Sequence, residues 1–253
     1  MLKRVRSDEA IDVLHVEDDT AFADLTASYL DRLGSGFDHE SVRTVADANR
    51  RFDEGSFDAV VSDYDLPDGT GIGFLEDVRE SDPEFPFVLF TGKGSEEVAS
   101  EAISAGVTDY LQKRGGTNQY EVLVNRIRNT VDRHRLMKHV DRSIAALEAA
   151  SEPIAILGSE GEYLFANEPY ASVYGVGAAE LVGTHWEEFY PESEIERFTD
   201  TVLPRVAADG HWSGEATVET TEGHRVRETL SLTHTTDGGH VCIIRKTDRI
   251  TDS

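Results

Sequence analysis

Short apolar runs punctuate the chain up to Lys113: Ile11-Asp12-Val13-Leu14-His15-Val16, Ala59-Val60-Val61-Ser62, Phe87-Val88-Leu89-Phe90 and Tyr110-Leu111-Gln112. Runs of this length, without strict alternation, suit strands buried on both faces of a parallel sheet. Strands are predicted near 12–16, 38–42, 58–62, 86–90 and 108–111. The segments between them, 20–33, 45–54, 71–80 and 95–105, read as helices, with Asp19 or Thr20 and Ser95 as caps. Strands and helices in this alternation predict an α/β, doubly wound, five-stranded parallel sheet.

From Thr117 to about Ala150 neither proline nor glycine occurs. Apolar residues recur at Leu123, Ile127 and Val131 and then, after a break near Arg133-His134-Arg135, at Met137, Val140, Ile144 and Leu147. The last four are spaced 3, 4 and 3, as on a coiled-coil or bundle seam. A fifth helix is predicted that either packs on its own domain or runs on into a signalling or dimerising helix, and so short a periodic stretch fits both. After Ser151-Glu152-Pro153 the pattern becomes α+β. A strand pair at Ile154-Ala155-Ile156-Leu157 and Tyr163-Leu164-Phe165 precedes short helices over 168–209. Strands near 212–220, 224–234 and 239–247 follow, punctuated by Thr221-Glu222-Gly223 and Asp237-Gly238-Gly239. The expected organisation is a first domain over 9–130, a linker or signalling helix over 131–150 and a second domain over 151–250.

The 253 residues suffice for two domains with proper cores. Charge changes the picture most: 49 acidic against 24 basic residues give a formal net charge of −25, and only five residues are lysines. A phosphate backbone would be repelled, so no nucleic-acid partner is expected. Such self-repulsion calls for screening, which at molar salt acts over about 3 Å; an acidic, lysine-poor composition resembles that of proteins from salt-accumulating halophiles. The single cysteine, Cys242, excludes an internal disulfide and a cysteine-based zinc site and fits a reducing compartment. No run approaches a membrane span, and Met1-Leu2-Lys3-Arg4 lacks the apolar stretch of a signal peptide. A cytoplasmic protein without a membrane partner is expected.

The apolar runs end on residues that carry chemistry: Asp18 and Asp19, then Asp63, Thr91 and Lys113. If the runs are neighbours in one sheet, their carboxyl ends open on one crevice. Magnesium takes oxygen ligands and keeps waters, so it needs only one or two carboxylates beside phosphate oxygens. A carboxylate of the set can attack phosphorus, while Lys113 and the Thr91 hydroxyl meet the transferred phosphoryl oxygens. Singly, a strand-end Asp or Lys is usually a solvated loop residue; four positions in order, at intervals of 45, 28 and 22 residues from Asp18 to Lys113, form a set. Gly69-Thr70-Gly71-Ile72-Gly73 lacks the dinucleotide-loop spacing, and Gly92-Lys93-Gly94-Ser95 lacks that of a P-loop.

Glu17-Asp18-Asp19, Ser62-Asp63-Tyr64-Asp65-Leu66-Pro67-Asp68-Gly69, Phe90-Thr91-Gly92 and Tyr110-Leu111-Gln112-Lys113 together resemble the signature of response-regulator receiver domains of two-component signalling. The resemblance implies a phospho-accepting Asp63 and a magnesium site made by Asp18, Asp19, Asp63 and the backbone carbonyl of Asp65. It also implies phosphoryl contacts from Thr91 and Lys113 and a switch aromatic at Tyr110. One departure stands out: the family usually has proline after the lysine, with a cis bond, whereas Arg114 follows Lys113 here. A non-proline cis bond costs about 2.5–4 kcal/mol, so a trans bond is expected. Asp63-Tyr64-Asp65 also resembles the D-x-D of haloacid-dehalogenase-like phosphatases, but that family places D-x-D on its first strand and an acidic pair after the lysine.

The second region resembles a PAS sensor domain through Pro153-Ile154-Ala155-Ile156-Leu157, Tyr163 to Tyr170, Leu181-Val182-Gly183 and the terminal Thr247-Asp248-Arg249-Ile250-Thr251-Asp252. No tightly bound cofactor is expected there. Cys242 lies in a predicted strand, as a buried structural thiol would. A haem would need an axial histidine, and lone histidines such as His185, His211 and His224 are more often surface or hydrogen-bonded residues. Trp186, Phe189, Tyr190, Phe198 and Trp212 line a pocket or fill the core. The expected function is that of a response regulator that accepts a phosphoryl group on Asp63 from a histidine kinase, with Mg2+. It would signal through the second domain, by partner binding or by homodimerisation through helix 131–150 or the PAS domain. At most it would phosphorylate and dephosphorylate itself, and would not otherwise be an enzyme. The alternatives are a phosphorylation-independent sensory scaffold and, third, the phosphatase.

Overall fold

A computed structural model describes residues 10–33, 36–114 and 116–249. Met1-Leu2-Lys3-Arg4, residue 9 at the start of the expected first domain, and Ile250-Thr251-Asp252 of the terminal motif lie outside the described residues. Contacts divide the chain into two compact units, residues 1–139 and 140–253.

In the first unit the order is β1 (Ile11–Val16), α1 (Thr20–Leu33), β2 (Phe37–Val42), α2 (Val45–Glu54), β3 (Ala59–Ser62), a small hairpin of β4 (Asp65–Leu66) and β5 (Gly69–Thr70), α3 (Gly71–Ser81), β6 (Phe87–Thr91), α4 (Glu96–Ser104), β7 (Asp109–Gln112) and the larger part of α5 (Asn118–Glu148), whose residues from Val140 on belong to the second unit. The five longer strands form one sheet in the order β2-β1-β3-β6-β7, and every pairing is parallel. The apolar runs read as continuous because both faces are covered. Leu14, Val16, Val60, Phe87 and Leu89 pack with Phe74, Leu75 and Val78 of α3, whereas Val13, Val61, Val88 and Phe90 pack with Leu30 of α1 and Leu123 and Ile127 of α5. Strand order reverses at β1, which lies between β2 and β3, so the crevice opens beyond the carboxyl ends of β1 and β3.

The helix α5 runs unbroken through Arg133-His134-Arg135, where the apolar stripe lapses. His134 is buried there, Arg135 donates to both Asp58 oxygens at 3.2 and 2.7 Å, and Lys138 meets Asp82 at 3.0 Å. The lapse is therefore a change from apolar to charged partners, with the helix backbone intact. Beyond it Met137, Val140 and Ile144 are exposed. No helix among the described residues is long and apolar enough to cross a membrane.

The second unit holds β8 (Ile154–Leu157), β9 (Tyr163–Ala166), α6 (Glu168–Tyr174), α7 (Ala178–Leu181), a 3-10 turn (Trp186–Phe189), α8 (Glu192–Arg197), a π-helical turn (Phe198–Val202), α9 (Leu203–Asp209), and the long strands β10 (His211–Glu219), β11 (Arg225–His234) and β12 (His240–Arg249). They form an antiparallel sheet in the order β10-β11-β12-β8-β9. Asn167 ties its start together. The side-chain oxygen of Asn167 caps α6 by accepting from Tyr170 N and also accepts from Ile154 N, while its amide donates to the carbonyls of Leu147, Ala150 and Glu152. A buried amide with every valence used specifies one backbone arrangement.

Candidate functional site

The acidic site grows out of the ends of β1 and β3. Val16 is the last fully buried residue of β1, and its carbonyl accepts from Asp63 N at 2.9 Å, which brings the two strand ends together. Glu17, Asp18 and Asp63 each offer a carboxylate oxygen, and these oxygens lie within 4.8 Å of one another. Lys113, just beyond β7, reaches across to Glu17 Oε2 at 2.5 Å and to Asp63 Oδ2 at 3.1 Å. Its ammonium also lies over the Phe22 ring, 4.7 Å from the centroid. Burial pushes the Glu17 carboxyl above the usual range, and the Lys113 hydrogen bond opposes that shift. Beneath the site His15 is buried, which with the nearby Lys113 charge drives its pKa down to about 3 and keeps the imidazole neutral.

One expected ligand lies apart from the other carboxylates. Asp19 stands outside the carboxylate cluster: its Oδ1 accepts from Ala21 N at 2.9 Å and Phe22 N at 3.3 Å, so it caps α1, and Glu17 takes the place beside Asp18. The cap role was legible in the sequence, because Asp directly before a helix satisfies otherwise unpaired N–H groups. Close approach also demands a glycine. A Cβ on Gly71 would fall on the Asp63 carbonyl oxygen and the Ser62 hydroxyl.

Thr91 ends β6 fully buried, and its Oγ1 accepts from Lys93 N at 3.1 Å. The Tyr110 ring packs against the inner core, and its hydroxyl donates to the Lys93 carbonyl at 2.8 Å. Lys93 itself, set aside on sequence with the P-loop reading, pairs with the Asp65 carboxylate at 2.7 Å and lies over the Tyr64 ring. The Asp65 carboxylate is not among the clustered carboxylates. No described peptide bond is cis, Lys113–Arg114 included. Three carboxylates against one ammonium leave two negative charges uncompensated, a hard-oxygen set that fits a divalent cation such as magnesium.

Residues 13–127 match the family model of the response regulator receiver domain, and residues 147–247 match that of the PAS fold. The chain is a response regulator receiver domain followed by a PAS-fold domain. Among similar proteins, the luminescence regulatory protein LuxO of Vibrio campbellii is 30% identical over 165 residues, a stretch covering 58% of this chain and 36% of LuxO. The methanogenesis regulatory protein FilR1 of Methanothrix harundinacea is 34% identical over 113 residues, 44% of this chain and 25% of FilR1. The chain thus spans well under half the length of these relatives. A CheY-like receiver domain from Methanospirillum hungatei superposes with a TM-score of 0.46 at 25% identity, covering 51% of this chain and 99% of that one. The two family-model matches bear out the receiver resemblance read from the motifs around Asp63 and Lys113, and the PAS resemblance.

In the PAS-fold domain the aromatic residues divide between the two expected roles. Phe189 is core, while Trp186, Tyr190 and Phe198 both pack in the core and line a cavity. Cys242 is buried in β12 and also lines it. Burial pushes the Cys242 thiol up, away from reactivity. His185 stands at the cavity, whereas His211 and His224 are exposed. Sequence reasoning missed Glu228, which is 0% exposed on β11 and accepts from the Tyr190 hydroxyl at 2.7 Å.

Proposed function

We propose that this receiver domain accepts a phosphoryl group on Asp63 from a histidine kinase, with Mg2+ held by Glu17, Asp18 and Asp63. The observation that carries the reading is the carboxylate cluster with Lys113 set 3.1 Å from Asp63 Oδ2. In the transfer an Asp63 oxygen forms the new P–O bond as the P–N bond to the donor imidazole breaks, and the imidazole retains the electron pair and takes up a proton. When bound, magnesium supplies charge compensation for the phosphoryl oxygens. Lys113 would leave its contact with Asp63 for a phosphoryl oxygen while keeping Glu17 as its anchor. Thr91 would exchange its Lys93 N contact for a phosphoryl contact, and Tyr110, through the Lys93 carbonyl, would register that movement. The exposed Met137, Val140 and Ile144 of α5 support self-association as the way the signal reaches the PAS-fold domain.

Intact-mass measurement after incubation with magnesium and acetyl phosphate tests the reading. One phosphoryl adduct is expected, lost in Asp63→Ala; no adduct, or an adduct that survives Asp63→Ala, overturns it.

A further inference from the structure

The PAS-fold domain contains a cavity of about 250 Å³ whose chemistry is lopsided. Aromatic and leucine side chains dominate its lining, and Trp186, Tyr190 and Phe198 make one continuous aromatic wall with ring centroids 5.4 to 5.7 Å apart. Glu160 and Glu187 line it too, and both are exposed, so they stand where the cavity meets solvent. His185 links them, with Nε2 2.8 Å from the Glu160 carbonyl and Nδ1 3.6 Å from the Glu187 carboxylate. Neither lysine nor arginine is among the lining residues. Of the lining residues only His185 and His240 can take up a positive charge, so an anionic ligand would meet two acidic residues and no fixed cation.

The aromatic wall is also suited to positive charge. The Arg197 guanidinium, which does not line the cavity, lies 5.0 Å from the Phe198 centroid and 5.9 Å from that of Trp212. The Tyr190 hydroxyl donates to the buried Glu228, a bond that moves electron density toward the ring. Cations are attracted to such ring faces, most strongly where water is excluded. The volume lies below the roughly 300–1,000 Å³ typical of drug-sized ligand sites, which restricts the guest to a compact molecule.

We propose that this cavity binds a small organic cation of the methylated-ammonium class, its charge set against the Trp186–Tyr190–Phe198 wall and the Glu160 and Glu187 carboxylates. The site would give the PAS-fold domain an input separate from chemistry at Asp63. Binding would be reversible and tuned by ionic strength, because the carboxylates are partly solvated.

Calorimetric titration of the full chain with choline, with its uncharged isostere 3,3-dimethylbutan-1-ol and with benzoate, at one fixed ionic strength, tests the proposal. Saturable choline binding at least tenfold tighter than that of the alcohol, with no benzoate binding, is expected. Glu160→Gln combined with Glu187→Gln alters only exposed side chains and should weaken choline at least threefold; Trp186→Ala should weaken it at least tenfold, and Trp186→Phe less. Absent choline binding, equal affinity for choline and the alcohol, benzoate binding, or unchanged affinity in the double glutamine variant overturns it.

Discussion

The Lys113 ammonium lies 2.5 Å from Glu17 Oε2, and the Glu17 side chain is only 1% exposed. This pair makes Glu17, beside Asp18, part of the acidic site, while Asp19 serves the helix. Glu17→Gln keeps the shape and removes one of three charges available to a divalent ion, so magnesium affinity should fall at least tenfold by calorimetry. Asp19→Asn, which preserves a good cap, should leave it within about twofold. Equal losses in the two variants would return Asp19 to the ligand set.

Asp19→Ala should instead reveal itself in stability. Losing the contacts to Ala21 N and Phe22 N should cost about 1 kcal/mol, measured by urea unfolding of the receiver transition.

Gly71→Ala should be worse, because the added methyl meets backbone. With the Asp63 carbonyl in its way, overpacking of about 1–3 kcal/mol is expected, together with a lower yield of phosphoryl adduct. A variant with the parental urea midpoint and full adduct would show that the α3 start can shift freely.

Glu228 predicts a pH dependence for the PAS-fold domain. Burial pushes its pKa up to about 7 from an ordinary value of 4.5. The folded state therefore holds the proton longer than the unfolded state, so stability is full below about pH 4.5 and falls as pH rises through about 7. Glu228→Gln should flatten this slope, with a gain over the parent on the order of 1–3 kcal/mol at pH 8. His15 acts with the opposite sign in the receiver domain: its lowered pKa contributes stability above about pH 6.5 that is lost on acidification. Comparing Glu228→Gln with the parent at each pH isolates the PAS contribution, and parallel profiles would remove Glu228 as its source.

Asn167→Ala should be severe. It removes a cap and leaves the Leu147, Ala150 and Glu152 carbonyls without this donor, a loss of about 3 kcal/mol or more when buried groups go unpaired. Thermal unfolding followed by tryptophan emission reads it directly, since Trp186 and Trp212 both belong to the PAS-fold domain.

Much of this was legible in the chain. The buried runs around Val60 and Leu89 betrayed a doubly covered sheet because no polar residue alternated through them, and Thr91 and Lys113 followed as strand-end residues. The hairpin of Asp65–Leu66 and Gly69–Thr70 was not, since two residues per arm carry no periodicity. Glu17 and Asp19 are chemically alike and adjacent to Asp18, so only the cap rule could separate them. Glu228 shares the inward phase of Val226, Leu230 and Leu232 on β11, yet a carboxylate is normally assigned to the solvent face. His134 was hidden in the same way, as a polar residue continuing an otherwise apolar stripe.

Scarcity of amines gives the fold a built-in reporter. Four of the five lysines lie among the described residues, and each faces a carboxylate: Lys93 on Asp65, Lys113 on Glu17 and Asp63, Lys138 on Asp82 and Lys246 on Asp248. Of these only the Lys113 side chain is largely covered, at 8% exposure. Under an acylating reagent, Lys93 and Lys246 become internal rate standards, and the lag at Lys113, read peptide by peptide, becomes a clock for the opening of the acidic crevice.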